Sequence, residues 1–206
     1  MKVGLLGGTF DPIHNGHLAL ADEARLQFGL DEVWIIPAGD PYFKTREKEI
    51  TSVRYRLGMI LRAIENINWL RVNTCEIERK GPTFSADTVY DLKQHYPNID
   101  FYWIMGEDAF LQIKEWYHFE YFINSINILV ARRLSQIVYN SWDKAQELIE
   151  EFENNYNANI QLFSFNYDIS STQIRQLICS NRSYQFMLPK NVYNFIEQNN
   201  LYREKV

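Results

Sequence analysis

The chain has little with which to fasten itself covalently. It carries two cysteines in 206 residues, Cys75 and Cys179, far apart and without metal-ligand spacing. That excludes a disulfide framework or a cysteine-rich zinc site and leads us to expect a reduced, cytoplasmic protein. Long apolar runs are also missing. Only a few apolar residues separate Met1-Lys2 from Gly7, too few for a secretory signal, and no segment approaches the ~20 residues of a membrane span. There is no excess of basic charge: 21 Lys and Arg stand against 26 Asp and Glu, for a net charge of −5 and a pI near 5.4. No general affinity for nucleic acid or membrane surfaces is expected, and any anion site must be built locally. Internal repeats, low-complexity tracts and an evident linker are absent too. With 46% hydrophobic residues, the expectation is one domain over 1–206, with 166–206 as a C-terminal helical subregion. Oligomeric state is not legible.

Two common phosphate-binding fingerprints, GxGxxG and GxxxxGK[ST], are likewise missing. In their place GGTFDPIHNGH, Gly7 to His17, follows an apolar run, Val3 to Leu6, and precedes a segment with Leu18, Ala21, Ala24 and Phe28 at helical spacing. Strand, glycine loop and helix is the order in which α/β proteins handle phosphate. Gly7 and Gly8 carry no side chain, so the backbone can take positive φ there and its N–H groups can come close to an anion. Pro12 stiffens the turn, and Asn15 and Gly16 lead into a helix whose N-terminus favours a phosphate. The chain has four histidines, two of them in this loop. His14 and His17, three apart, would project from one side of the first helical turn and donate to phosphate oxygens during transfer.

Further along, strands are predicted at Glu32 to Pro37, Trp69 to Thr74, Asp100 to Met105, Ile126 to Ala131 and Ile160 to Phe165. Between and after them helices are predicted at Thr51 to Ile64 (capped by Thr51 or Ser52), Ser85 to His95, Ala109 to Trp116, Trp142 to Asn154, Thr172 to Cys179 and Asn191 to Asn199. Alternation of this kind implies an α/β fold, a Rossmann-like doubly wound and mainly parallel sheet. Ligands then bind beyond the carboxyl ends of the strands, where the first loop and Gly106-Glu107-Asp108 both fall. The stretch ISSTQIR, Ile169 to Arg175, starts a helix with Ser170, Ser171 and Thr172; taken alone it is an ordinary cap. Beside the first loop it reads as a clamp for β- and γ-phosphates, with Arg175 one turn in. The basic run Lys44, Arg46, Lys48, Arg54 and Arg56 reads as a solvated face or the flank of an anion site. His95 and His118 read as surface residues.

GTFDPIHNGH resembles the signature of the [HT]xGH nucleotidyltransferases. With ISSTQIR and the closing MLPKNVYNFIEQNNLY, the resemblance narrows to the bacterial-type nicotinate mononucleotide adenylyltransferases and runs over nearly the whole chain. PAGDPYFK (37–44), GPTFSADT (81–88) and IMGEDAFLQIKEW (104–116) resemble further family segments. The chain departs from them at Phe43, where the family has a histidine that donates to phosphate; at Phe84-Ser85, where it has Tyr-Thr; and at Glu107, where it has a small residue. The resemblance implies adenylyl transfer from ATP to nicotinate mononucleotide. His14, His17 and Arg175 would be catalytic. Gly7, Gly8, Thr9, Phe10, Gly16, Gly106, Asp108, Ser170, Ser171 and Thr172 would bind ATP; Lys44, Ser85 and Trp116 would bind the mononucleotide, with Trp116 on the pyridine ring unless that indole belongs to the core. Arg132 and Arg133 are weaker candidates for adenosine or phosphate. No carboxylate cluster suggests a protein metal cage, so the expected Mg²⁺ would be held mainly by ATP phosphates. Three alternatives stand beside this reading: nicotinamide mononucleotide as acceptor, a phosphopantetheine adenylyltransferase, and a non-catalytic nucleotide-binding module.

Overall fold

The computed structural model describes residues 1–39, 50–133 and 141–203. Among them, strands β1 (Lys2–Gly8), β2 (Glu32–Pro37), β3 (Leu70–Val72), β4 (Asp100–Gly106), β5 (Asn127–Arg133) and β6 (Asn159–Phe165) form one sheet in the order β3-β2-β1-β4-β5-β6. Every pairing is parallel. The helices are α1 (Asn15–Phe28), α2 (Val53–Ile64), α3 (Cys75–Glu78), α4 (Ser85–His95), α5 (Glu107–Phe110), α6 (Phe119–Ser125), α7 (Ser141–Asn155), α8 (Ser171–Cys179) and α9 (Lys190–Gln198).

Period-two alternation along buried strands distributes the apolar residues over two faces. Leu6, Val33, Ile35, Ile104 and Leu129 point to one side, where Ala21 and Ala24 of α1, Met59 and Ile60 of α2, Ile174 of α8 and Val192 and Ile196 of α9 cover them. Val3, Leu5, Trp34, Ile36, Trp103, Met105, Ile128 and Val130 point to the other, against Val89 of α4, Phe110 of α5, Phe122 of α6 and Phe152 of α7. The doubly wound parallel sheet expected from the sequence is therefore present. Its strand order reverses between β1 and β4, which opens a crevice at their carboxyl ends. Leu6 pairs with Ile104, and each strand runs two residues further, to Gly8 and Gly106.

Three local expectations are corrected. The segment 109–116 is not one helix: α5 ends at Phe110, a 3₁₀ turn covers Ile113–Glu115, and Trp116 is extended. The short helices α3 and α6 were not read from the sequence, since four and seven residues offer too little periodicity to register. Gly7 and Gly8 do not take positive φ; both lie within β1, and the positive φ in this stretch belongs to Phe10, at 51°.

Candidate active site

The loop after β1 is shaped by packing as much as by backbone freedom. A Cβ at Gly7 would meet the Trp103 ring at 2.8 Å, and one at Gly8 would meet the Phe10 ring at 3.1 Å. Phe10 itself is buried in the left-handed region, a conformation that costs a non-glycine residue roughly 1–2 kcal/mol. Pro12 follows through a cis peptide bond, and the chain enters α1 at His14.

Helix α1 begins three residues earlier than expected, which makes His14 its N-cap and His17 its third residue. The two rings close a reciprocal cap: His17 N donates to His14 Nδ1 at 3.3 Å, and His14 N donates to His17 Nδ1 at 3.3 Å. With Nδ1 an acceptor in each, the neutral ring carries its proton on Nε2. The imidazoles stack with centroids 3.7 Å apart, and Phe10 meets His17 edge-on at 5.0 Å. His14 is buried and His17 half-buried. Gly16 leaves room for the ring here, since a Cβ would lie 3.0 Å from His14 Nδ1 and press on it. Two parallel imidazole donors thus stand at a helix N-terminus beyond the crevice, an arrangement suited to an anion that gains charge.

The second predicted phosphate segment, about 160 residues away, is joined to this loop. Ser170 caps α8 by accepting from Gln173 N at 3.1 Å. Ser171 Oγ donates to Pro12 O at 2.8 Å, Arg175 Nη1 donates to Asp11 O at 2.6 Å, and Arg175 Nη2 donates to Thr172 Oγ1 at 3.2 Å. The structure therefore brings His14, His17, Ser171, Thr172 and Arg175 into one region.

Supporting residues went unrecognised in the sequence. Asp11 is buried; Oδ1 accepts from Tyr202 OH at 2.6 Å and Oδ2 from Thr51 N at 3.2 Å. Arg56, expected with its run on a solvated face or at the flank of an anion site, is 1% exposed. Its guanidinium donates to the carbonyls of Thr51 (2.9 Å), Thr9 (2.8 Å) and Ala38 (2.8 Å), so it ties together three backbone segments. Burial lowers its pKa, and the Asp11 charge opposes that. Nothing in the run of charges distinguished Arg56. The Asp-Pro pair inside the signature was the one available hint for Asp11.

Across the crevice the other predicted residues are set less tightly. Gly106 is the exposed N-cap of α5, and Asp108 is exposed in its first turn. Glu107 is buried and its Oε1 has no hydrogen-bond partner among the described residues. Ser85 opens α4, next to Phe84, whose ring lies 4.5 Å from that of Tyr117. Trp116 is half-buried, packed on Phe122 at 5.5 Å. Beneath α4, Glu76 accepts from Thr88 Oγ1 at 2.8 Å, and Arg79 bridges Thr88 (3.2 Å) and Asp91 (2.5 Å). Burial raises the Glu76 pKa, against hydrogen bonds from Thr88 and Thr83. Burial likewise lifts the Cys75 thiol to about 11. Phe43 and Lys44 lie outside the described residues, as does the side chain of Arg133. Arg132 is half-buried at the end of β5, while His118 is exposed, and His95 Nδ1 meets Asp91 O at 2.7 Å. Among the described residues no three His, Cys, Asp or Glu gather as a metal site, and no helix is long and apolar enough to cross a membrane.

Residues 5–177 match the cytidylyltransferase-like family. A probable nicotinate-nucleotide adenylyltransferase from Dehalococcoides mccartyi is 36% identical over 206 residues, 100% of this chain and 98% of that protein. The nicotinate-nucleotide adenylyltransferase of Bacillus subtilis is 34% identical over 201 residues, 98% of each. Among solved structures, Plasmodium falciparum nicotinic acid mononucleotide adenylyltransferase complexed with NaAD aligns with a TM-score of 0.74 over 98% of this chain and 97% of that one, at 20% identity. That last likeness is one of fold.

Proposed function

The chain belongs to the nicotinate-nucleotide adenylyltransferases: it transfers the adenylyl group of ATP to nicotinate mononucleotide in NAD biosynthesis, and we propose that the residues at the carboxyl ends of β1 and β4 and the start of α8 perform that reaction. The observation that carries the residue assignment is the pair of stacked imidazoles at the start of α1, joined to the α8 segment through Arg175 and Ser171.

The mechanism is in-line attack by a phosphate oxygen of the mononucleotide on the α-phosphorus of ATP. One P–O bond forms to the acceptor as the bond to the β-phosphate oxygen breaks, and pyrophosphate leaves with the electron pair. The attacking oxygen is already anionic, so no general base is required, and catalysis consists of positioning and charge stabilisation. His14 and His17 donate from Nε2 to the oxygens of the reacting phosphate, whose charge rises in the transition state. Ser170, Ser171, Thr172 and Arg175 hold the β- and γ-phosphates, with the backbone of 7–10 and Gly16 beside them. Gly106 and Asp108 meet the ribose. On the acceptor side, Trp116 stacks on the pyridine ring, Ser85 meets its carboxylate, and Lys44 meets its phosphate. Ser170, Ser171, Thr172 and Arg175 would hold the triphosphate with which Mg²⁺ would arrive, and the cation would supply charge neutralisation for the leaving pyrophosphate.

The experiment is pyrophosphate release from ATP and Mg²⁺ with nicotinate mononucleotide, nicotinamide mononucleotide and phosphopantetheine in parallel. Strong preference for nicotinate mononucleotide is expected. Equal or better use of the nicotinamide form would move the acceptor assignment and direct attention to Phe43 and Phe84; binding without release would return the chain to the non-catalytic class.

A further inference from the structure

We propose that Tyr202 is a positioning residue for the transfer step, its hydroxyl holding the Asp11 carboxylate and through it the loop that presents His14 and His17. The inference rests on the adenylyl-transfer reading of that loop, and it concerns a residue to which neither the signature nor the phosphate segments assign a role.

Three chain segments converge on Asp11, three residues before His14. Tyr202 donates to Oδ1 at 2.6 Å, Thr51 N to Oδ2 at 3.2 Å, and Arg175 Nη1 to the Asp11 carbonyl at 2.6 Å. Of these, the phenol bond spans 191 residues of sequence and is charge-assisted, roughly twice as strong as a neutral one. The turn after α9 is bent to deliver it. Asn200 and Tyr202 both adopt the left-handed region, at φ 50° and 62°, which is uncommon for a bulky aromatic residue. Leu201 is anchored in the core, with its N–H on Ile196 O at 3.1 Å, and Cys179 Sγ lies 3.1 Å from Tyr202 O. The phenol also reaches Met59 Sδ at 3.9 Å, so its ring is seated against α2. Burial beside Asp11 raises its pKa, which keeps the hydroxyl a donor throughout the neutral range.

Removing the hydroxyl leaves a buried carboxylate short of a donor while changing little apolar packing. The loop then relaxes around Asp11, and a displacement of ~1 Å at the imidazoles can cost about 10²-fold in rate without altering either substrate's contacts elsewhere. A residue that merely stabilised the fold would lower the melting temperature and leave kcat alone.

The test compares the wild type with Tyr202→Phe and, as control, Tyr184→Phe. Tyr184 also gives its hydroxyl to a carboxylate in this part of the chain, Glu197, a residue that ion-pairs with Arg203 and not with a residue of the loop. Below the melting temperature of each variant, Tyr202→Phe is expected to lose about tenfold to 10²-fold in kcat with both KM values within about twofold, and Tyr184→Phe to keep wild-type kcat. The imidazole ¹H–¹⁵N resonances give a reading independent of activity: with four histidines in the chain, those of His14 and His17 should move in Tyr202→Phe while those of His95 and His118 stay. Wild-type kcat in Tyr202→Phe, or four superimposable imidazole signals, would overturn the proposal. If the wild type instead used another acceptor, the substrate reading would fall, and the ratio of variant to wild type would still be read on that acceptor.

Discussion

The two walls of the crevice are built differently. On the β1 side, the loop 9–17 is pinned by Arg56, Thr51, Tyr202, Arg175 and Ser171 through backbone and carboxylate, and its histidines cap each other. On the β4 side, α4, α5 and α6 begin without side-chain caps, Gly106 and Asp108 face solvent, and the Phe84 ring lies against that of Tyr117. The difference separates two tasks. Donors aimed at a reacting phosphorus pay off only if fixed before the charge develops, whereas a ring and its substituent can be gripped by surfaces that settle as the ligand arrives. The β1 wall should therefore govern kcat and the β4 wall KM.

The largest expected effect is on the pinned wall. His17→Ala removes one donor from the transition state and should lower kcat about 10²–10³-fold, with the KM for nicotinate mononucleotide little changed. It also removes the acceptor of His14 N, a cap contact of about 1 kcal/mol, so the fold is checked by circular dichroism and the melting temperature. Turnover near wild type would mean that rigidity here serves only to fold the loop, and the contrast between the walls would lose its meaning.

On the other wall, Trp116→Ala should raise the KM for nicotinate mononucleotide about tenfold, with kcat within a few-fold and the KM for ATP unchanged. Its half-buried ring packs on Phe122, so some stability is lost as well, about 1–2 kcal/mol given a cost of ~3 or more for a fully buried aromatic. Trp116→Phe, which keeps an aromatic face, should recover much of the KM. A fall in kcat at constant KM would show that this wall too takes part in the chemistry and that the division of labour is wrong.

The sequence made the sheet legible because its strands are short apolar runs separated by strongly periodic helices, and the bounds of β2 and α4 match expectation to the residue. The two candidate phosphate segments stand out in the sequence because Gly, His, Ser and Arg are concentrated in them, and the structure joins the two through Ser171 and Arg175. The fastening was not. Arg56 lies among four other basic residues of the sequence, and neither its type nor its spacing sets it apart from them. Tyr202 and Asp11 are 191 positions apart, and no local pattern pairs them. Gly7 shows a subtler limit, since a glycine can be set by a ring on the neighbouring strand as easily as by a dihedral angle. The break between Phe110 and Trp116 is hidden in the sequence because Phe110, Ile113 and Trp116 recur at every third residue, a spacing that an α-helix and a 3₁₀ turn share.

The smallest effect concerns Glu76, the buried carboxylate beneath the β4 wall. Burial raises its pKa in the folded protein above the unfolded value of about 4.3, even though Thr88 and Thr83 donate to it and Arg79 lies near. The folded state thus binds this proton more tightly than the unfolded chain does. The Glu76 contribution to stability is then fully present below the unfolded pKa and is lost as pH rises through the folded one. In Glu76→Gln the amide oxygen still accepts from Thr88 and nothing ionises. Melting temperatures of the two proteins measured from pH 4 to 7 should show the wild type losing ground to the variant as pH rises. A wild type that gains on Glu76→Gln over that range would mean that the threonine and arginine contacts outweigh desolvation. The carboxylate would then be pinned as firmly as Asp11, and the β4 wall would be as preorganised at its base as the β1 wall is at its loop.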